Sequence, residues 1–218
     1  MSHALDSSTR CDTESALDRL SELARDVLAR CRACGASQAE VGLNEDRGLN
    51  VGVRMGEVET IEHTRDRGLS LTVYFGQRKA SASTADLDAG SIQTTIDQAC
   101  AIARHTEEDA FAGLADAARM ASEFADLDLW HPWALDAAAA VELGLACEQA
   151  GRDADARIGN SDGASVSTGS SLSVYANSHG FVGRERSTSH SLSVALIAGQ
   201  GDAMQRDAMQ RDYWYTNA

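Results

Sequence analysis

The residues in this chain best suited to chemistry are five cysteines, six histidines, a dense run of serines and three closely spaced glutamates. Cys31-Arg32-Ala33-Cys34 has the spacing of a redox motif. A thioredoxin-like pair opens a helix, where the macrodipole stabilises a thiolate. This pair instead closes a stretch of helical periodicity, so the field has the opposite sign and a packing role is expected. No second cysteine pair is present to complete a zinc site. His3, His63, His105, His131, His179 and His190 include no two at the three- to five-residue spacing of a helical metal motif, and no H-E-x-x-H occurs. His179 falls in a turn and His190 on a strand, where hydrogen-bonding roles are expected.

No serine lies in a G-x-S-x-G elbow. Gly159-Asn160-Ser161-Asp162-Gly163 has the composition of a phosphate cradle, but it runs into a strand and not into a helix N-terminus, so the anion-binding geometry is missing. Glu57 and Glu59 share one strand face with Glu62 nearby, a pattern expected of a solvated face. Read from its residues, the chain offers no catalytic, metal-binding or cofactor-binding residue.

Composition narrows the classes further. The 218 residues are 43% hydrophobic, enough for one generous core or two modest domains. Thirty-three acidic against 19 basic residues give a net charge of -14, which argues against direct docking on a nucleic-acid backbone. No run approaches the roughly 20 apolar residues that span a bilayer, and the start lacks an export signal, so no membrane partner is expected. An odd number of cysteines, mostly in helical patterns, excludes a disulfide framework and points to the cytoplasm.

The elements that would position these residues alternate between helix and sheet. Residues 1–12 read as a flexible polar tail. From Asp12 or Thr13, Leu17, Leu20, Ala24, Val27, Leu28 and Cys31 recur at helical spacing until Gly35. Short strands follow at Ala39–Leu43 and Leu49–Val53, with Glu45-Asp46-Arg47-Gly48 as a turn between them. Further strands are expected at Glu57–Thr64, Leu69–Phe75 and Arg78–Thr84, then an amphipathic helix carrying Ile92, Ile96, Ala99 and Ala103. Residues 106–135 read as a linker that packs through Trp130 and Trp133. Asp136 caps a third helix ending at Gly151.

A long antiparallel passage from Ile158 to Thr216 comes next, turning at Asn177-Ser178-His179-Gly180. Asp202-Ala203-Met204-Gln205-Arg206 recurs at once as Asp207-Ala208-Met209-Gln210-Arg211, which a strand could not absorb without switching faces. Residues 199–211 are therefore expected to form a connection. The fold class is α+β: two units of helices plus a largely antiparallel sheet, at 13–105 and 136–218. Residues 1–105 have two helices to cover their sheet and read as a self-contained unit. Tyr213-Trp214-Tyr215 reads as a final strand with little after it, which suggests the front portion of a larger protein.

Several blocks together carry a resemblance. They are Arg54–Glu59, Gly68–Tyr74, Arg78–Thr84 with Asp86-Leu87, Asp126–Pro132, Asn177–Gly180, Ser187–Leu192 and Arg211–Thr216. In this order and spacing, over nearly all of residues 13–216, the chain resembles the N-terminal part of the PmbA/TldE-like branch of the TldD/PmbA family. The resemblance implies a cytoplasmic metalloprotease built from TldD-like and PmbA-like subunits. It would act on unfolded peptides, among them microcin precursors and an antitoxin. An older description calls the family modulators of DNA gyrase.

In such enzymes zinc is held by an H-E-x-x-x-H and by the C-terminal half of the TldD-like subunit. Zinc is therefore expected on a TldD-like partner, and no ligand transfers onto this sequence, where the family's C-terminal half is absent. The expected function is a non-catalytic, truncated PmbA/TldE-like subunit that processes unfolded peptides through that complex. The alternatives are a modulator of DNA gyrase acting by protein contact, or an inactive remnant.

Overall fold

The computed structural model describes residues 7–121, 124–199 and 210–218. In chain order it contains α1 (Ser7–Ala33), β1 (Gln38–Arg54), β2 (Glu57–Phe75), β3 (Arg78–Thr84), α2 (Ala89–His105), a 3-10 turn at Ala117–Arg119, α3 (Ala137–Asp153), β4 (Ile158–Asn177), β5 (Val182–Ala198) and β6 (Gln210–Asn217). The strands form one six-stranded antiparallel sheet in the order β3-β2-β1-β4-β5-β6, an α+β fold as expected.

Three expectations about the elements need correction. First, α1 begins at Ser7, inside the stretch read as a tail. A helix nucleated near Asp12 extends backward cheaply, because elongation costs far less than nucleation. Second, Glu45–Gly48 is not a turn: β1 is a continuous strand of 17 residues and β2 one of 19, each replacing two expected short strands. Gly48 supplies close approach there, since a Cβ on it would lie 2.7 Å from Thr64 Oγ1. Third, β6 starts at Gln210, so the expected connection ends earlier than Arg211. Most of that connection, with most of the duplicated pentapeptide, lies outside the described residues, as do Met1–Asp6 of the expected tail.

The chain divides into two compact units. Unit 1 holds the residues up to Asp46, Asp66–Asp128 and Ser171–Arg186. Unit 2 holds Arg47–Arg65, Leu129–Ser170 and Ser187–Ala218. The division expected from sequence was contiguous (13–105, 106–135, 136–218); these units are interleaved, because β1, β2, β4 and β5 each contribute to both.

In unit 1, α1 buries Leu17, Leu20, Ala24 and Val27 at helical spacing, and α2 buries Ile92, Ile96, Ala99 and Ala103. The N-terminus of α2 is closed by Asp88, whose carboxylate accepts from the amides of Gly90 and Ser91 at 2.7 and 3.0 Å. Both helices pack on the alternating faces Val41, Leu43, Leu69, Leu71 and Val73. Each fully buried aliphatic contributes about 1.5–3 kcal/mol. Val174 and Ala176 of β4 belong to the same core. Residues 1–105 are therefore not self-contained, because sequence patterning cannot show which distant strand completes a core.

In unit 2, α3 begins at Asp136, whose side chain accepts from the amide of Ala139 at 2.8 Å. Small residues let α3 press close on the sheet: a Cβ on Gly144 would lie 3.2 Å from Val53 Cγ2. The core beneath it comprises Leu49, Val51, Val53, Ala164, Val166 and Val194.

Candidate functional site

Each residue type singled out by its chemistry has a definite place. His190 joins two segments of unit 2. Its Nε2 lies 2.8 Å from the carbonyl oxygen of His131, which can only accept, so Nε2 carries the proton. Nδ1 lies 2.8 Å from the Thr168 hydroxyl, within hydrogen-bond reach. Thr188 adds two bonds to the same segment: its amide donates to the Leu129 carbonyl and its hydroxyl accepts from the His131 amide, both at 2.9 Å. Trp133 stands edge-on to the His190 ring, centroids 5.5 Å apart. The linker is thus strapped to β5 through Trp133 and main-chain bonds, and His190 has the hydrogen-bonding role expected of it.

His179, in unit 1, accepts at Nε2 from the Gln38 amide at 3.3 Å, while Gln38 Oε1 accepts from the Leu114 amide. Among the described residues no three His, Cys, Asp or Glu side chains gather around a common point suited to a metal ion.

Two carboxylates were not foreseen from sequence. Glu148 on α3 is 1% exposed, and its oxygens accept from the amides of Met55 and Gly56 at 2.8 and 2.9 Å. Burial alone would raise its pKa. Hydrogen bonds from Ser161, Gly56 and Met55, with the nearby Arg152 charge, outweigh that and hold the carboxyl below its ordinary value. Ser161 belongs to β4, and its hydroxyl accepts from the Gly163 amide. The Gly159–Gly163 segment is accordingly strand, as its sequence context implies.

In unit 1, Glu40 accepts from the hydroxyls of Tyr74 at 2.9 Å and Tyr175 at 2.7 Å. Burial and this bond push Tyr74 up to about 12. The sequence showed the strand alternation around Glu40 and the helix that carries Glu148; the groups at Tyr74, Tyr175, Met55 and Gly56 that they accept from lie tens of residues away.

Cys31 is fully buried at the end of α1. Burial, then the neighbouring Cys100 and Cys34, pushes its thiol up to about 12, and burial pushes Cys100 up to about 11. Cys31, Cys34, Cys100 and Cys147 are free thiols. High thiol pKa values suppress the thiolate, so Cys31 and Cys100 act as packing residues.

Glu57, Glu59 and Glu62 lie where β2 is exposed on both faces, from Glu57 to Arg67. β3 pairs with β2 only from Leu69 to Phe75, so the outer edge of β2 before Leu69 has no strand beside it among the described residues. The other rim of the sheet, β6, is also exposed throughout, with Tyr213 and Tyr215 stacked at 6.1 Å. Its residue Trp214 turns to an apolar cavity of about 480 Å³ lined by Ile158, Val194 and Leu196. Among the described residues, the outer edges of β2 before Leu69 and of β6 thus have no strand beside them, while Glu40, Glu148, His179 and His190 are engaged in hydrogen bonds within their own units.

Comparison with known proteins agrees with this scaffold. Residues 39–103 match the PmbA/TldA metallopeptidase domain 1, and residues 130–217 match the central domain of the same family. The chain belongs to the PmbA/TldD metallopeptidase family. The metalloprotease PmbA homolog of Haemophilus influenzae is 43% identical over 84% of this chain, and metalloprotease PmbA of Escherichia coli O157:H7 is 42% identical over 82%. The chain spans 39% and 38% of the lengths of those two relatives. Among solved structures, a candidate modulator of DNA gyrase from Bacteroides thetaiotaomicron superimposes with a TM-score of 0.81 at 26% identity, covering 92% of this chain and 45% of that one. TldE from Thermococcus kodakarensis shares the fold at a TM-score of 0.72 and 12% identity, covering 89% of this chain and 42% of that one. No helix among the described residues is long and apolar enough to cross a membrane.

Proposed function

We propose that this chain works as a PmbA/TldE-like, non-catalytic part of a cytoplasmic metalloprotease, together with a TldD-like subunit that carries the zinc. The complex would act on unfolded peptides. The observation that carries this reading is the 42–43% identity, over more than four fifths of the chain, to relatives named metalloprotease PmbA. The open strand edges support it, because an extended peptide can add to a sheet edge through main-chain bonds without strong sequence preference.

The test is co-expression with a TldD-like subunit. Copurification of the two, with zinc content and chelator-sensitive cleavage of an unfolded peptide found in the mixture and not in this chain alone, is the expected result. One tightly bound zinc per isolated chain, with cleavage abolished by a chelator, would overturn it.

A second reading is favoured by one observation, the likeness to a candidate gyrase modulator at 26% identity. With a net charge of -14, the chain would act on gyrase by contact with a basic protein surface and not through nucleic acid. Recovery of gyrase in place of a TldD-like subunit from a pull-down would select that reading.

A further inference from the structure

Among the described residues, the outer edge of β2 from Glu57 to Arg65 has no strand beside it. It contains no proline or lysine, and its charges, Glu57, Glu59, Glu62 and Arg65, are of both signs. Val58 and Ile61 are 45% and 49% exposed on it. Contacts within unit 2 fix its faces. A Cβ on Gly52 would lie 3.7 Å from Thr60 Cβ, and one on Gly48 would meet Thr64, so Thr60 and Thr64 share the face of these glycines. Glu57, Glu59, Ile61, His63 and Arg65 then occupy the opposite face, by the two-residue period of a strand.

That second set is self-complementary when read backward. Antiparallel pairing of the segment with itself about Ile61 sets Glu57 opposite Arg65, Glu59 opposite His63, and Ile61 opposite Ile61. On the other face it sets Val58 against Thr64 and Thr60 against Glu62. No like charges meet directly, each Glu57–Arg65 pair occurs twice, and the aliphatic pair lies on the axis. Shifting the two copies to align Glu59 with Arg65 would instead bring Glu62 against Glu62, and the opposite shift, about Thr60, would lose the Glu57–Arg65 pair, so the register about Ile61 makes the best use of the charges.

We propose that the free edge of β2 pairs antiparallel with the same segment of a second copy of this chain, around a two-fold axis at Ile61. The interface is isologous, so the same patch serves both partners. Cross-strand opposite-charge pairs supply specificity, and the main-chain ladder supplies most of the attraction. This inference does not depend on the subunit assignment above.

Sedimentation velocity over a range of concentrations and salt tests it. The chain should form a dimer, weakened by salt. Glu57→Arg alone and Arg65→Glu alone should each weaken it about tenfold, since every substitution changes two symmetry-related pairs. The double variant E57R/R65E, and an equimolar mixture of the two single variants, should both recover it. Because recovery needs a folded chain, a loss through misfolding is told apart. Ile61→Cys should yield a disulfide-linked dimer on mild oxidation that the unsubstituted chain does not give. A monomer at all concentrations would overturn the proposal. So would self-association that the charge substitutions leave unchanged, or an edge that takes up only an added unfolded peptide.

Discussion

Glu148 accepts from the main-chain amide of Gly56, 92 residues before it in the chain, at 2.9 Å. Through its other oxygen it also takes the amide of Met55, at 2.8 Å. Both turn residues have positive φ, 53° at Met55 and 81° at Gly56, so their amides converge on one point. A single buried carboxylate on α3 thereby fixes the hairpin between β1 and β2.

Replacing Glu148 by Gln is expected to cost about 2–4 kcal/mol, because the new amide group sets a donor against a donor in a buried site. The sign of the pH dependence follows from the depressed pKa. The folded carboxyl lies below its unfolded value of about 4.3, so its contribution is complete above that pH and is lost as pH falls through the folded value. Thermal melts of both proteins should differ most near neutrality and converge in acid. A gap independent of pH would show that packing, and not charge, is what the substitution removes.

A second expectation concerns Gly163, where φ is +106° and a Cβ would lie 2.6 Å from the Val53 carbonyl oxygen. Gly163→Ala should destabilise the fold by roughly 2–4 kcal/mol, combining backbone strain with overpacking. Gly56→Ala makes the comparison, since φ is +81° there with nothing within 4 Å. It should cost only about 1 kcal/mol, for the left-handed conformation alone. Chemical denaturation of the two variants reads the difference; equal losses would mean that steric crowding at Gly163 relaxes freely.

The thiols give a third. All five cysteines should titrate as free thiols in the denatured, unreduced chain. In the native protein at pH 8, Cys31 and Cys100 should react much more slowly than a free cysteine, because burial raises both. Cys34→Ser should leave stability and partner binding almost unchanged. A stable Cys31–Cys34 bridge would contradict the packing role.

Legibility differed between local and long-range features. Ile92, Ile96, Ala99 and Ala103 announce α2, Asp136 announces α3, and Asn177–Gly180 announces a turn in which Gly180 has φ +90°. Each rests on neighbouring residues alone. Glu45–Gly48 misleads because charged residues and glycine favour turns locally, while the close approach of Thr64, which makes Gly48 a strand residue, is written elsewhere in the chain. Glu148 in Val141-Glu142-Leu143-Gly144-Leu145-Ala146-Cys147-Glu148 looks like any solvent-facing helix glutamate. Its burial is decided by a turn that is distant in sequence. Glu40 is hidden for the same reason, since its two tyrosine partners come from β2 and β4.

The presence of Val174 and Ala176 in the core with α1 and α2 sets an order of events during synthesis. When His105 leaves the ribosome, both helices of unit 1 exist, yet the strand that seals their core does not. The nascent chain must grow by roughly eighty more residues before Ser171–Arg186 can join, a wait of several seconds at about 5–20 residues per second. Throughout that interval the core of unit 1 lacks the part that Val174 and Ala176 supply. Folding of this unit is therefore timed by elongation, and slow codons between His105 and Arg186 would lengthen its exposure to chaperones and proteases.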